Sequence, residues 1–267
     1  MAILVGGNTV DRPRTSEEYD CKPVPCTKSC IIFTNARTGS SWLSIGLYRV
    51  GLGVPMEYFH KRYIQQIKNR NIVRKNHDEE LLSAYIRSVT NIRTTPNGVF
   101  GVKIHTNQWV DLCLVNDPNQ KQTPSYYRKQ LENAFVHPHF IFLYRKDILS
   151  QAISLYIAQE SQSWSSEVPA KKSIEYDFAK IKLYLDATMK NIKICRSIHQ
   201  VTTFPKLSMT YEDLEADYYG SIQKVASFLN EDIILTEDIG RNTCEKQGNQ
   251  RNEEWKDRFL SDLKKNK

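Results

Sequence analysis

The stretch SCIIFTNARTGSSWLSIGLYRVG, residues 29–51, decides the fold. Ile31, Ile32 and Phe33 form a short apolar run that reads as a buried strand. A small-residue turn follows at Thr38-Gly39-Ser40-Ser41. Beyond it Trp42, Leu43, Ile45, Leu47 and Val50 recur at helical spacing, and Gly51 marks the stop. The unit is strand, loop, helix. Such a loop presents free backbone N–H groups and a positive dipole end, which together can hold a phosphate. The hydroxyls of Thr38, Ser40 and Ser41 add donors, and Gly39 permits close backbone approach. The spacing and lysine of a Walker A loop are absent. The plain alternative is a strand-to-helix turn capped by a hydroxyl.

Working outward, residues up to Lys28 are polar and read as an irregular lead-in (1–28), leaving residues 29–267 as one domain. A largely helical stretch is expected from Lys61 to Val89. After Pro96-Asn97-Gly98, VFGVKIH reads as a second strand with Lys103 and His105 at its C-terminal end. HFIFLYR is a third, ending at Arg145, and Asp147 is placed to cap the helix after it. A helical region from Ser173 to Ile198 leads to a fourth strand, KLSMTY. Tyr211-Glu212-Asp213-Leu214 then reads as a turn, and SIQKVASFL as a short helix. Strands alternating with helices predict an α/β fold, a mostly parallel sheet with helices on both faces. In such sheets ligands sit beyond the carboxyl ends of the strands. Arg37, Lys103, His105 and Arg145 all fall there, which points to one crevice.

Composition bounds the function classes. The 267 residues carry 40% hydrophobic and 25% charged side chains, ordinary for a globular chain. The net charge of +7 admits a polyanionic ligand, but the basic residues are spread out and end in the LKKNK tail, with no nucleic-acid-binding motif. No apolar run approaches the ~20 residues of a membrane span. The N-terminal MAILVGGNTV, with no preceding basic residue, makes a poor signal peptide, so a cytoplasmic protein is expected. Six cysteines, including Cys21, Cys26, Cys30 and Cys244, form neither a disulfide scaffold nor a zinc site. His137 and His139 lack a third ligand nearby, and no metal is expected.

Arg145 can bind a phosphate bidentately, with a serine in the next helical turn adding a bond; the plain alternative is a surface ion pair. Taken together, RTGSSW, the K-x-H strand end, Arg145 followed by Asp147 and Ser150, Y-E-D-L and the late QRNEEWKDRF resemble the sulfotransferases that use 3′-phosphoadenosine 5′-phosphosulfate (PAPS), whose domain has a P-loop-NTPase-like fold. RTGSSWL, GLGVPMEYF, TPNGVFGVKIHTNQ, YRKDILSQAISLYIAQ and QRNEEWKDRF are most similar to the Stf0 branch.

That resemblance implies roles. Arg37, Thr38, Gly39, Ser40 and Ser41 would bind the 5′-phosphosulfate, with Trp42 near the adenine. Arg145 and Ser150, rather than Ser154, would hold the 3′-phosphate, and Arg251 would close over it. Arg37 and Lys103 would neutralise the leaving group. Two residues compete as general base. Glu57 in P-M-E-Y-F matches the Stf0 pattern and is favoured by it, whereas His105 matches the K-x-H of the broader family. Pro55, Met56, Tyr58 and Trp164 would border the acceptor. Ala36 and His105 depart from members that act on trehalose, which puts that sugar in doubt. The expected activity is sulfuryl transfer to a hydroxyl of a small polar acceptor, first a carbohydrate. Alternatives are a hydroxyl or amine of a specialised metabolite, an atypical nucleotide kinase, and a non-enzymatic nucleotide- or RNA-binding protein. Any homodimer is carried by the resemblance alone.

Overall fold

A computed structural model describes residues 16–74, 76, 80–164, 170–236, 239 and 250–265. The N-terminal apolar stretch and Cys244 lie outside them. Strand β1 (Lys28–Thr34) is buried along nearly its whole length, as a central parallel strand must be. It pairs in parallel with β2 (Val99–His105) on one side and β3 (Pro138–Tyr144) on the other. β4 (Lys206–Thr210) adds to β3, giving the order β2-β1-β3-β4. The chain crosses β1 between β2 and β3, so the order in which parallel strands are added reverses at the β1/β3 boundary. There the loops beyond the carboxyl ends part and leave a crevice.

Alternation along each strand builds two cores. Ile31, Phe33, Phe140 and Phe142 face α3 (Leu81–Arg93), α4 (Thr106–Asn116), α5 (Pro124–Ala134) and α7 (Phe178–Val201). Cys30, Ile32, Ile141 and Leu143 face α1 (Ser40–Arg49), α8 (Tyr211–Ala216) and α9 (Tyr218–Leu229). A third cluster, including Ile153, Tyr156, Ile181, Trp255 and Phe259, joins α6 (Ile148–Ser161) and α7 to the late helix α10 (Gln250–Lys265).

Two expectations change in detail. The helical stretch after Lys61 contains two helices, α2 (Lys61–Asn69) and α3. Tyr211-Glu212-Asp213-Leu214 opens a short helix instead of a turn, because Thr210 and Asp213 form a reciprocal capping box. Asp147 caps α6 as read from sequence, its side chain accepting from the Ser150 N–H. No helix among the described residues is long and apolar enough to cross a membrane.

Candidate active site

The loop after β1 is held from three sides. The Thr38 hydroxyl donates to the Asn35 carbonyl (3.0 Å) and lies 2.7 Å from Thr34 Oγ1. Thr38 is 1% exposed, so its hydroxyl braces the loop from within. Gln151 on α6 donates to the Ala36 carbonyl (2.7 Å). Arg145, just past β3, donates to the Arg37 carbonyl (3.3 Å). Gly39 takes φ 75°, and a Cβ there would stand 2.8 Å from the Tyr211 ring, so neither backbone nor space admits a side chain. Arg37 itself has φ 65°, a left-handed conformation uncommon outside glycine, in a loop fastened at its neighbours. The loop thus meets α1 at a glycine N-cap, with its amides at the mouth of the crevice.

Around this loop lie the cations. Arg37 donates through Nε to Ser154 Oγ (2.9 Å) and through a terminal nitrogen to the Trp164 carbonyl (3.0 Å). Arg145 stacks over Tyr211, its guanidinium carbon 4.6 Å from the ring centroid. No carboxylate among the described residues pairs with Arg145, and its Nε is buried without a partner, which sets aside the surface-ion-pair alternative. Ser150 Oγ donates to Asp147 Oδ2 (2.7 Å), and Lys256 of α10 meets the same oxygen at 2.5 Å. Arg251 leans over Trp255, and its Nε is buried with no partner among the described residues. It lines a cleft of about 480 Å³ with Ser154, Ser161, Ser163, Lys171 and Lys172. Arginines whose buried nitrogens have no partner among the described residues fit a ligand carrying several phosphate oxygens.

On the other side of β1, Gly53 (φ 82°) sits against Gly101 so closely that a Cβ would be 2.3 Å from the Gly101 nitrogen. That approach lets residues 53–57 run beside β2, where Met56 forms an isolated bridge to Val102. Glu57 thereby reaches Lys103: Oε1 lies 2.9 Å from Nζ. Lys103 is 1% exposed and also donates to Ser41 Oγ (3.0 Å), so it links Glu57 to the loop after β1. Glu57 Oε2 accepts from Gln108 (3.0 Å) and lies 3.8 Å from His105 Nδ1. Burial raises the Glu57 carboxyl, but Lys103, His105 and these hydrogen bonds outweigh it and hold the group well below the usual range. Burial lowers His105, Glu57 opposes this, and Lys103 and His60 add to the lowering, so the imidazole is neutral near pH 7.

Arg37, Lys103, His105 and Arg145 are brought together as read from sequence, and Glu57 joins them. Ser41 turns to Lys103, and Ser40 is buried at the start of α1. Trp42 stacks on Tyr218 (4.4 Å, 6° between planes), which fixes it at the end of the loop. Ser154, set aside in favour of Ser150, is the serine that binds Arg37. Pro55 and Met56 are buried beside β2, and Trp164 is exposed next to Arg37. Tyr58 is a correction. It is 1% exposed with its hydroxyl donating to the Val54 carbonyl (2.6 Å), a core side chain rather than a pocket wall. Sequence reasoning missed Gln108, Gln151 and Lys256, and read Tyr211 only as part of a turn. The T-N-Q that follows the K-x-H strand end was the available signal for Gln108.

The model of the Stf0 sulphotransferase family matches residues 29–262. The chain belongs to the Stf0 sulfotransferases. It is an enzyme of sulfuryl transfer, and the kinase and RNA-binding alternatives fall away. No curated protein matches the chain. Among solved structures, this Stf0 protein is similar to a sulfotransferase from Alicyclobacillus acidocaldarius at 13% identity, covering 90% of this chain and 92% of that one, with a TM-score of 0.47. It is also similar to the sulfotransferase domain from the curacin biosynthetic pathway (14% identity, 86% and 82% covered, TM-score 0.43). A third is retinol dehydratase in complex with androsterone and inactive cofactor PAP (15% identity, 82% and 64% covered, TM-score 0.41).

Proposed function

We propose that this Stf0 sulfotransferase takes its sulfuryl group from PAPS and delivers it to a hydroxyl of a small polar acceptor, a carbohydrate first. One observation carries the donor assignment. Arg145 and Arg37 stand at adjacent strand ends, joined through the Arg37 carbonyl, and Arg145 keeps a buried nitrogen with no partner among the described residues. The amides from Gly39 to Ser41, with Arg37, suit the 5′-phosphosulfate; Arg145, Ser150 and Arg251 suit the 3′-phosphate. When bound, PAPS supplies a sulfuryl group on a phosphate leaving group, whose sulfur–oxygen bond breaks as the acceptor oxygen bonds to sulfur.

The protein's own tasks are alignment, charge neutralisation and removal of one proton. Arg37 and Lys103 supply fixed positive charge. Of the two bases, the geometry favours a shared arrangement in which His105 takes the proton at Nε2 and Glu57 faces Nδ1. Glu57 has one oxygen on Lys103 and the other on Gln108, which makes it a weak base but a good orienting anion. The 3.8 Å gap to His105 exceeds a hydrogen bond and would close on acceptor binding. Pro55, Met56 and Trp164 border the acceptor. Incubation with sulfur-labelled PAPS and a panel of sugars, phenols and amines tests the reading: label in a hydroxyl compound supports it, and label only in amines supports the specialised-metabolite alternative. Assembly as a homodimer belongs to the same reading and is tested by sedimentation.

A further inference from the structure

Resting on that reading of Glu57 and His105 as the acceptor side, we propose that Gln108 is a specificity-determining residue that reads a second hydrogen-bond donor on the acceptor, so that the acceptor is a vicinal diol or amino alcohol.

Gln108 lies in the first turn of α4, three residues beyond His105 at the end of β2. Its Nε2 donates to Glu57 Oε2 at 3.0 Å. That bond fixes the amide, because a carboxylate can only accept and the NH2 end must face it. The carbonyl Oε1 therefore points away from Glu57. It is buried and has no partner among the described residues. His105 Nε2 is likewise buried with no partner among the described residues. Native structures pair nearly all such atoms, and two orphans around one carboxylate are unusual.

Both orphans have the same chemistry. A carbonyl oxygen is an acceptor only, and a neutral imidazole with Nδ1–H toward Glu57 is an acceptor at Nε2. The complement is a molecule bringing two donors. The reacting hydroxyl, which gives its proton to Nε2, is one. The other is drawn near it, since Gln108 Nε2 and His105 Nδ1 both face the same Glu57 oxygen, Oε2, and each orphan is the second polar atom of its own side chain. Adjacent O–H groups, or O–H beside N–H, meet that demand, and a lone alcohol leaves Oε1 dry. Leaving a buried acceptor unpaired lowers kcat/KM by about 10–100-fold.

Paired probes with PAPS test this: catechol against phenol, cyclohexane-1,2-diol against cyclohexanol, and methyl glucoside against its monodeoxy forms. Wild type should prefer the two-donor member by at least about tenfold in kcat/KM. Gln108→Met should bring that ratio to about one. A merely structural role for Gln108 would lower both members together and keep the ratio. Equal rates on paired probes, transfer to none of them, or a ratio unmoved by Gln108→Met overturns the proposal. The thermal shift with 3′-phosphoadenosine 5′-phosphate (PAP) is read in parallel. If it persists, only the acceptor inference has failed; if wild type shows none, the donor reading has failed with it.

Discussion

The Glu57 carboxylate lies 2.9 Å from the ammonium of Lys103, which is itself 3.0 Å from Ser41 Oγ at the start of α1. This ion pair makes Glu57 and the start of α1 one continuous object. A cation so deeply buried needs its anion. The same pair holds the Glu57 carboxyl well below the usual range, which is why the proposed proton acceptor is the neighbouring imidazole.

The pH profile separates the two bases. His105 must be neutral to accept a proton, and its value is lowered below the ordinary histidine range. Rate should therefore fall as pH falls through a single limb below about 6.5. Were Glu57 the base, activity would hold flat to below 4.5, since its carboxyl stays ionised there. His105→Ala should lower kcat by about 10²–10⁴-fold and abolish the limb.

Glu57→Gln should reduce stability as well as activity. It removes the charge beside a buried ammonium, a loss of about 3 kcal/mol, read as a fall in Tm of roughly 5–10 °C. Because the folded carboxyl is depressed, its stabilisation is complete above the ordinary carboxylate value and is lost as pH falls through the folded one. The Tm gap between wild type and variant should accordingly be constant at neutral pH and narrow in acid. An unchanged Tm at pH 7 would mean that the pair contributes nothing.

At the other end of the crevice, Arg145→Ala should weaken PAP by about 10–100-fold and leave AMP, which lacks the 3′-phosphate, nearly unaffected. Arg145→Lys should fall between, because it keeps the charge and loses the fork. Calorimetry with the two nucleotides reads the difference. Equal losses for PAP and AMP would move Arg145 to the 5′ side.

Gly39→Ala joins a left-handed φ to a 2.8 Å collision with the Tyr211 ring. The backbone component alone costs about 1–2 kcal/mol, and the loop must shift from the position that offers its amides. Both Tm and PAP affinity should drop; a wild-type affinity would show that the loop amides are not the phosphate site.

Much of this was legible in the sequence, for reasons visible in particular residues. Ile31 to Phe33, VFGVKIH and HFIFLYR are near-continuous apolar runs, the pattern of parallel strands buried on both faces. The charged residues ending those runs had to lie at the crevice. Glu57 was named by its motif, but its contact with Lys103 depends on Gly53 packing against Gly101, 48 positions along, which no local pattern shows. The amides of Gln108 and Gln151 were silent for the same reason: their partners, Glu57 and the Ala36 carbonyl, are 51 and 115 residues distant. Tyr58 was misplaced because an aromatic beside a site residue reads equally as pocket or core, and its bond to the Val54 carbonyl decides for core. Strand order follows from crossovers that periodicity does not encode.

The most direct test of PAPS use is the thermal shift of the full chain with PAP, beside AMP and ATP–Mg²⁺. At a hundred times its dissociation constant a ligand adds about 2.7 kcal/mol, a rise of roughly 5–10 °C for a chain of this size. The expected result is that rise with PAP, its reduction in Arg145→Ala, and little with AMP. No shift with PAP, or an equal one with ATP–Mg²⁺, would contradict it.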